Sequence, residues 1–276
     1  RLLPNLCSPS SALRLAISAG TMWILYSFNG RLQRLKLSDI YRIMGVGGIA
    51  ALHWVFFFGA IKYANISIAL VCFSAAGFFT AVLDPLLFRN RVVWIELALG
   101  LVVIAGIAVI FRFEPRFEKG IIYGIVSALL GALFPMFNRI YIQRMNASTL
   151  MTWQLTGGFF SLLLLLPFYL DTFPPQNWLP GANDWIWLLI LSWGCSVWAF
   201  QLTANSLKTI SVFTVNLSFN LEPVYGIVLA FLLFREQQVL GPSFYGGLCL
   251  ILLALCVQSW RMYYKNGRKL SGSTPK

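Results

Sequence analysis

Glu222 is the ionisable residue whose setting most strongly suggests chemistry, because it lies within an apolar run and directly precedes Pro223. A carboxylate inside the hydrocarbon of a bilayer costs about 2.5–3.5 kcal/mol and should therefore face a cavity or a partner. Since Pro223 has no N–H to donate to the carbonyl of Phe219, we expect this helix to kink there. Glu222 then either lines a site for substrate or protons or serves as a structural hydrogen bonder at the kink.

Polar residues around Glu222 follow helical spacing. Asn216 and Asn220 are four residues apart, and Tyr225 is three residues beyond Glu222. Residues three or four apart lie on one face of a helix. The pattern therefore predicts a broad polar stripe that could form one wall of a binding site.

Further candidate side chains lie in other apolar runs. Trp54, Gln154 and Trp198 supply aromatic area and an amide, which suits a pocket for a zwitterionic or aromatic metabolite. His53, the single histidine, could titrate near neutral pH or bond between helices. A zinc site takes three or four ligands, and this one histidine has no cluster of acidic or thiol neighbours, so we predict no metal site. We also predict no cofactor. Arg14, at the end of a predicted helix, is interpreted as snorkelling to the interface.

Two other motifs have simpler interpretations. Asp84 precedes Pro85 near a predicted helix end, with Arg89 and Arg91 close in sequence. This setting favours an anchoring ion pair over a functional role for Asp84. Residues 45–50 match the glycine spacing of a dinucleotide-binding loop, but they follow no strand and are discounted.

The composition indicates which kind of structure must position these candidate residues. Of 276 residues, 58% are hydrophobic and 11% charged, and the mean hydropathy is +0.74. A soluble protein this poor in charge could not cover its own surface. Because backbone groups in hydrocarbon have no water to bond, runs near the roughly 20 residues that cross a bilayer should be helices. The sequence predicts an all-α polytopic membrane bundle with nine transmembrane helices, at residues 11–29, 43–61, 66–88, 92–111, 120–142, 150–170, 185–202, 210–234 and 244–260.

The net charge of +12 is a topology signal in such a protein. Most of the 21 lysines and arginines fall on the side of the bundle that holds the C-terminus. Cytoplasmic loops carry the excess of basic residues. We therefore place the C-terminus in the cytoplasm and the chain in the inner (plasma) membrane, and nine spans would then leave the N-terminus outside.

A weak internal repeat divides the chain at a charged linker, residues 113–119. Ile66-Ser67, Val71 and Ser74 recur as Ile210-Ser211, Val215 and Ser218, and residues 86–89 (LLFR) recur as 232–235. Four predicted helices precede the linker and five follow it. A duplicated unit with an odd number of helices inserts its second copy upside down, as in many transporters.

Several strings resemble the EamA repeat of the drug/metabolite transporter superfamily. In the second half they are residues 220–226 (NLEPVYG) and a last helix with glycines at 241, 246 and 247. In the first half they are residues 13–14 (LR), 52–54 (LHW), 61–63 (IKY) and 83–85 (LDP), the last standing where a Glu-Pro pair is expected. The chain departs from the pattern at Asp84 and at Arg91, where an acid commonly ends the helix.

This resemblance implies ten helices in two inverted five-helix repeats around a central cavity, with both termini cytoplasmic. The first repeat, residues 1–112, would then lack its first helix, and we expect a further span upstream. The second repeat would cover residues 120–265, followed by a cytoplasmic tail at 266–276.

The predicted function is secondary transport of a small polar or amphipathic metabolite, such as an amino acid, by alternating access. Helices bending at Pro85 and Pro223 would rock around the cavity, with protons as a possible coupling ion and a homodimer as a possible assembly. We expect no enzyme activity and no nucleic-acid partner. The alternative is a membrane protein that does not transport, either a lipid-acting enzyme or a sensory or structural subunit.

Overall fold

The computed structural model describes residues 9–113, 115–172, 181–199, 202 and 221–271. Every regular element in these ranges is helical. The α-helices are α1 (Pro9–Phe28), α2 (Leu37–Tyr63), α3 (Ile66–Phe73), α4 (Ala76–Phe88), α5 (Trp94–Phe113), α6 (Glu118–Tyr141), α7 (Ala147–Thr172), α8 (Ala182–Leu189), α9 (Glu222–Phe234) and α10 (Pro242–Ser271). A π-helical segment (Ile190–Trp198) continues α8, and short 3-10 turns (Pro115–Phe117, Glu236–Gln238) precede α6 and follow α9.

Within the described ranges, six helical stretches are long and apolar enough to cross a membrane. They are Leu37–Tyr63, Ile66–Phe88, Trp94–Arg112, Pro115–Tyr141, Ala147–Pro167 and Pro242–Arg261. Three shorter apolar helices, Ala12–Phe28, Asp184–Trp198 and Glu222–Phe234, fall in the remaining predicted runs. The prediction of a polytopic helical membrane protein is confirmed, and the number of nine spans stays a prediction.

The predicted run 66–88 is divided into α3 and α4 by a break at Ser74 and Ala75. The Ser74 hydroxyl bonds back to the carbonyl of Leu70, 3.2 Å away. The Ala75 N–H bonds to the carbonyl of Cys72, only three residues before it. Such back-bonding and three-residue hydrogen bonds tighten the last turn and end the α-helical ladder.

The helix carrying Glu222 also begins differently from the prediction. Leu221 is a turn residue, and α9 starts at Glu222 with Pro223 in its first turn. At that position the N–H that proline lacks has no partner within the helix in any case. Pro223 therefore lies in the first turn of α9, and residues 210–220 of the predicted run lie outside the described residues, whereas Pro85 lies inside α4.

The helices α4 and α9 repeat one another locally. Each has 13 residues and ends on an arginine in the left-handed conformation, Arg89 at φ 54° and Arg235 at φ 54°. In this register Ala76, the first residue of α4, corresponds to Glu222. Asp84 and Pro85 come late in α4, so they are not the counterpart of the Glu222-Pro223 pair as the sequence suggested.

The chain forms two compact units, each drawing on both halves of the sequence. The first contains Arg1–Phe58 and Leu133–Asn205, and the second contains Gly59–Ala132 and Ser206–Lys276. In the first unit α1 packs on α7 and on the π-helical segment, and in the second α5 packs on α10 and α3 on α9. The core of the first unit consists of apolar residues of α1, α2, α7 and the π-helical segment, namely Leu15, Ala19, Met22, Tyr26, Ala51, Leu155, Leu162 and Val197.

Candidate functional site

Glycines bring the backbones of α2 and α7 into direct contact in the first unit. A Cβ added to Gly47 would lie 2.0 Å from the carbonyl oxygen of Gln154, and one added to Gly157 would lie 2.3 Å from Cα of Met44. Helices in membranes pack closely through such small residues. The glycine-rich stretch of α2 is therefore a packing surface, and its contact fixes Trp54 and Gln154 relative to one another.

A small cavity lies beside this helix contact. Its volume is about 20 Å³, which is enough for about one water molecule. The lining residues are mostly apolar and come from α1, α2, α6 and α7: Leu15, Gly47, Ala50, Trp54, Phe134, Met151, Gln154, Leu155 and Gly158. Two of the residues selected from the sequence, Trp54 and Gln154, thus line the same cavity.

The Gln154 amide is held in one orientation. Its Nε2 donates a hydrogen bond to Oδ1 of Asn138 on α6, and the side chain is buried. A fixed amide in an apolar pocket can orient a polar group of a ligand. Asn138 was not selected from the sequence, because an asparagine near a helix end resembles an ordinary surface residue until its partner is known.

Arg14 also lies at this site, contrary to the expectation that it snorkels. Its guanidinium carbon is 4.7 Å from the ring centroid of Trp54. Its Nε is buried and has no hydrogen-bond partner among the residues that the structure describes. Two serine bonds fix α1 here: the Ser192 hydroxyl donates to the carbonyl of Arg14, and the Ser18 hydroxyl donates to the carbonyl of Ser192.

The remaining candidates of the first unit do not line the cavity. His53 precedes Trp54 on α2, and its ring centroid lies 6.0 Å from that of Phe57. Trp198 is 64% exposed at the end of the π-helical segment. Aromatic type alone did not distinguish the tryptophan that lines the cavity from one on the outer surface.

In the second unit, Glu222 is half-buried at the start of α9 and Tyr225 is exposed. Asn216 and Asn220, predicted to extend this polar stripe, lie outside the described residues. At the other end of the repeat motif, Asp84 Oδ2 accepts a hydrogen bond of 2.7 Å from Asn90 Nδ2. Asn90 takes the place that Glu236 has after α9, two residues beyond the helix end.

Glu236 is a buried carboxylate that sequence reasoning missed. It accepts hydrogen bonds from the N–H of Ile66 at 2.9 Å, from the N–H of Ser67 at 2.8 Å and from the Ser67 hydroxyl at 2.6 Å. The Asn65 side chain caps the next N–H, that of Ile68. The first three N–H groups of α3 are thus satisfied by side chains, so Glu236 fixes the start of this short helix.

No group of three or more histidine, cysteine, aspartate or glutamate side chains is placed to hold a metal ion among the described residues. The site instead consists of an amide, an indole and a guanidinium in an apolar setting. Helices of spanning length with such a lining define a multi-pass helical membrane protein.

The chain belongs to the EamA-like transporter family, whose profile matches residues 118–260. It is 24% identical to an uncharacterized transporter of Archaeoglobus fulgidus, over 90% of this chain and 87% of the relative. A solved crystal structure is similar in fold, with a TM-score of 0.59 and 20% identity over 95% of this chain and 94% of that one. The resemblance inferred from the sequence is confirmed, and the protein is a membrane transporter.

Proposed function

We propose that the protein is a secondary transporter that moves a small polar or amphipathic metabolite across the inner (plasma) membrane by alternating access, without enzymatic activity. The observation that carries this proposal is the cavity lined by the aromatic rings of Trp54 and Phe134 and by one oriented amide, that of Gln154, in an otherwise apolar setting. Ligand sites for small molecules have this composition. Membership of a transporter family supports the same function.

The size of the cavity supports alternating access. At about 20 Å³ it holds a water molecule and no metabolite, so a transported molecule requires a more open conformation. The break at Ser74 and Ala75 directly precedes α4, and the turn residue Leu221 directly precedes α9; we propose these two places as hinges. Discontinuous helices at matching positions mark the moving parts of transporters built from inverted repeats.

The proposal also covers the orientation of the chain in the membrane and the coupling of transport to protons. We place the C-terminus in the cytoplasm because the end of α10 is rich in lysine and arginine, and the exposed Trp260 and Tyr263 are suited to anchor this helix at the interface. Glu222 is the group we propose for proton coupling, because a half-buried carboxylate in an apolar helix can change its charge during the cycle.

Reconstitution and counterflow test the proposal. Proteoliposomes loaded with each of a panel of amino acids, nucleosides and sugars should show protein-dependent exchange of at least one labelled compound. Trp54→Phe should lower that exchange severalfold, whereas Trp187→Phe, at an exposed tryptophan of α8, should not. Properly folded protein that exchanges no compound of a broad metabolite panel would contradict the proposal.

A further inference from the structure

The Arg14 guanidinium is a charge without a described counter-ion in an apolar helix. It stays ionised at any physiological pH and requires acceptors for its five N–H groups. The face of Trp54 attracts the cation but accepts none of those hydrogen bonds well. Nε is buried and has no partner among the described residues. The site therefore has an excess of donors and of positive charge.

The first unit has two acidic residues whose side chains the structure describes, and each is either far from Arg14 or hydrogen-bonded to another group. Asp39 lies in the first turn of α2, fifteen residues before Trp54 and so about 22 Å away along the helix axis. The carboxylate of Asp184 accepts a hydrogen bond of 3.0 Å from the N–H of Gly181 at the start of α8. Neither of these two described acids neutralises Arg14, and a bound anion would supply the complementary charge.

Arg14 and the cavity share their walls. Leu15, the next residue of α1, lines the cavity, and Trp54 both lines the cavity and stacks against the guanidinium. The segment that packs against α1 at this level is π-helical, a conformation frequent at functional sites. A ligand held by Arg14 would thus extend towards Trp54 and Gln154.

We propose that Arg14 binds the carboxylate of the transported substrate, with Trp54 holding the guanidinium in place. The planar fork of arginine donates two parallel hydrogen bonds to a carboxylate. In the more open conformation that a substrate requires, its apolar part packs beside Trp54 at the position of the cavity, and Gln154 orients a second polar group. The substrate class is a small carboxylate with an apolar or aromatic body. This inference rests on the proposed transport function.

Matched pairs of probes test the inference on the full chain. The pairs are benzoate and benzamide, and phenylalanine and phenylalaninamide, each added to purified protein during thermal unfolding. The carboxylate should stabilise the wild type more than its amide. In Arg14→Gln the apparent affinity for the carboxylate should fall about 10- to 100-fold. Arg14→Lys should retain part of it, and Arg34→Gln, which removes an exposed arginine of the same unit, should retain all of it.

Stability without any ligand separates binding from a purely structural role. Arg14→Gln removes a half-buried charge whose Nε has no hydrogen-bond partner among the described residues, so its Tm should equal or exceed that of the wild type. A structural arginine would give a lower Tm in both Arg14→Gln and Arg14→Lys, with an unchanged preference for carboxylates among the folded molecules. That result would overturn the proposal.

Transport and lipid dependence distinguish the remaining outcomes. If counterflow detects exchange only of uncharged compounds, and equally in Arg14→Gln, transport stands and the carboxylate site is refuted. If carboxylates stabilise the protein through Arg14 but nothing is exchanged, the site stands as a carboxylate site and the transport function fails. A third outcome is that phosphatidylglycerol, added to phosphatidylcholine liposomes, abolishes carboxylate binding and binds the wild type but not Arg14→Gln. The site is then a lipid headgroup site and the proposal is wrong.

Discussion

The contact of Glu236 with α3 gives the sharpest stability prediction. We consider Glu236→Ala, which removes the carboxylate that accepts from Ile66 N–H, Ser67 N–H and the Ser67 hydroxyl. The hydroxyl can turn to another acceptor, but the two backbone N–H groups keep their direction. Since α3 has only eight residues, losing its N-terminal contacts should open the whole helix.

The magnitude follows from the two stranded donors. A buried donor left unsatisfied costs about 1–3 kcal/mol, and a charge at a partly buried helix N-terminus contributes up to about 2 kcal/mol. Because water can reach Ile66 more easily than Ser67, we take about 3 kcal/mol for the whole change. This equals roughly a 150-fold rise in the population of molecules in which α3 is open. Glu236→Gln should cost less, since its amide oxygen still accepts a hydrogen bond.

The thiol of Cys72 reports this opening directly. Cys72 lies in α3 and is 1% exposed, whereas Cys195, Cys249 and Cys256 are exposed. In a variant that keeps Cys72 as its single cysteine, the rate of reaction with a small membrane-permeant maleimide measures the open population. Glu236→Ala should raise the labelling rate of Cys72 by about two orders of magnitude. The labelling rate of the denatured protein, measured as a control, should be the same with and without the substitution.

Glu96→Ala is the matched control. It removes a carboxylate whose ion pair with Arg261, at 3.1 Å, is partly exposed. Such a pair contributes less than about 1 kcal/mol, so the labelling rate of Cys72 should change little. If Glu236→Ala labels Cys72 no faster than Glu96→Ala does, the three hydrogen bonds do not hold α3 and the reasoning fails.

Three further predictions concern packing, helix ends and coupling. Gly47→Ala should lower the Tm, because the added Cβ would lie 2.0 Å from a backbone oxygen of α7, a misfit that costs about 1–3 kcal/mol. Gly45→Ala is the control: a Cβ there would have no atom within 4 Å, so the Tm should stay the same or rise. Arg235→Gly should stabilise by up to about 1 kcal/mol in thermal unfolding, since glycine adopts its positive φ without strain, and a loss of stability would show that the side chain matters more. Glu222→Gln should abolish the pH dependence of counterflow, and unchanged pH-dependent exchange would eliminate proton coupling at Glu222.

Much of the fold could be predicted because it depends on averages along the chain. Each predicted apolar run is helical over most of its described residues, since hydrocarbon leaves the backbone no other way to satisfy its polar groups. The break at Ser74 and Ala75 was not predictable in the same way. Neither residue of the break is a proline or a glycine, and the serine back-bond at the end of α3 competes with the helix by only a small free energy.

The candidate site was predictable by residue type and only in part by position. Trp54 and Gln154 were selected because an indole and an amide in apolar helices are unusual, and both line the cavity. Trp198 had the same signature and is exposed. Periodicity along one helix does not say which neighbour covers a given face, so type alone could not separate these two tryptophans.

The sequence by itself determined that this chain is a helical membrane transporter of the EamA-like family, because hydropathy and a few family strings are properties of local sequence. Only the tertiary structure decided the roles of its charges. Arg14 is 40 residues before Trp54, and Glu236 is 170 residues after Ile66. A charge in hydrocarbon is costly or stabilising according to the groups that surround it, and those groups come from distant parts of the chain.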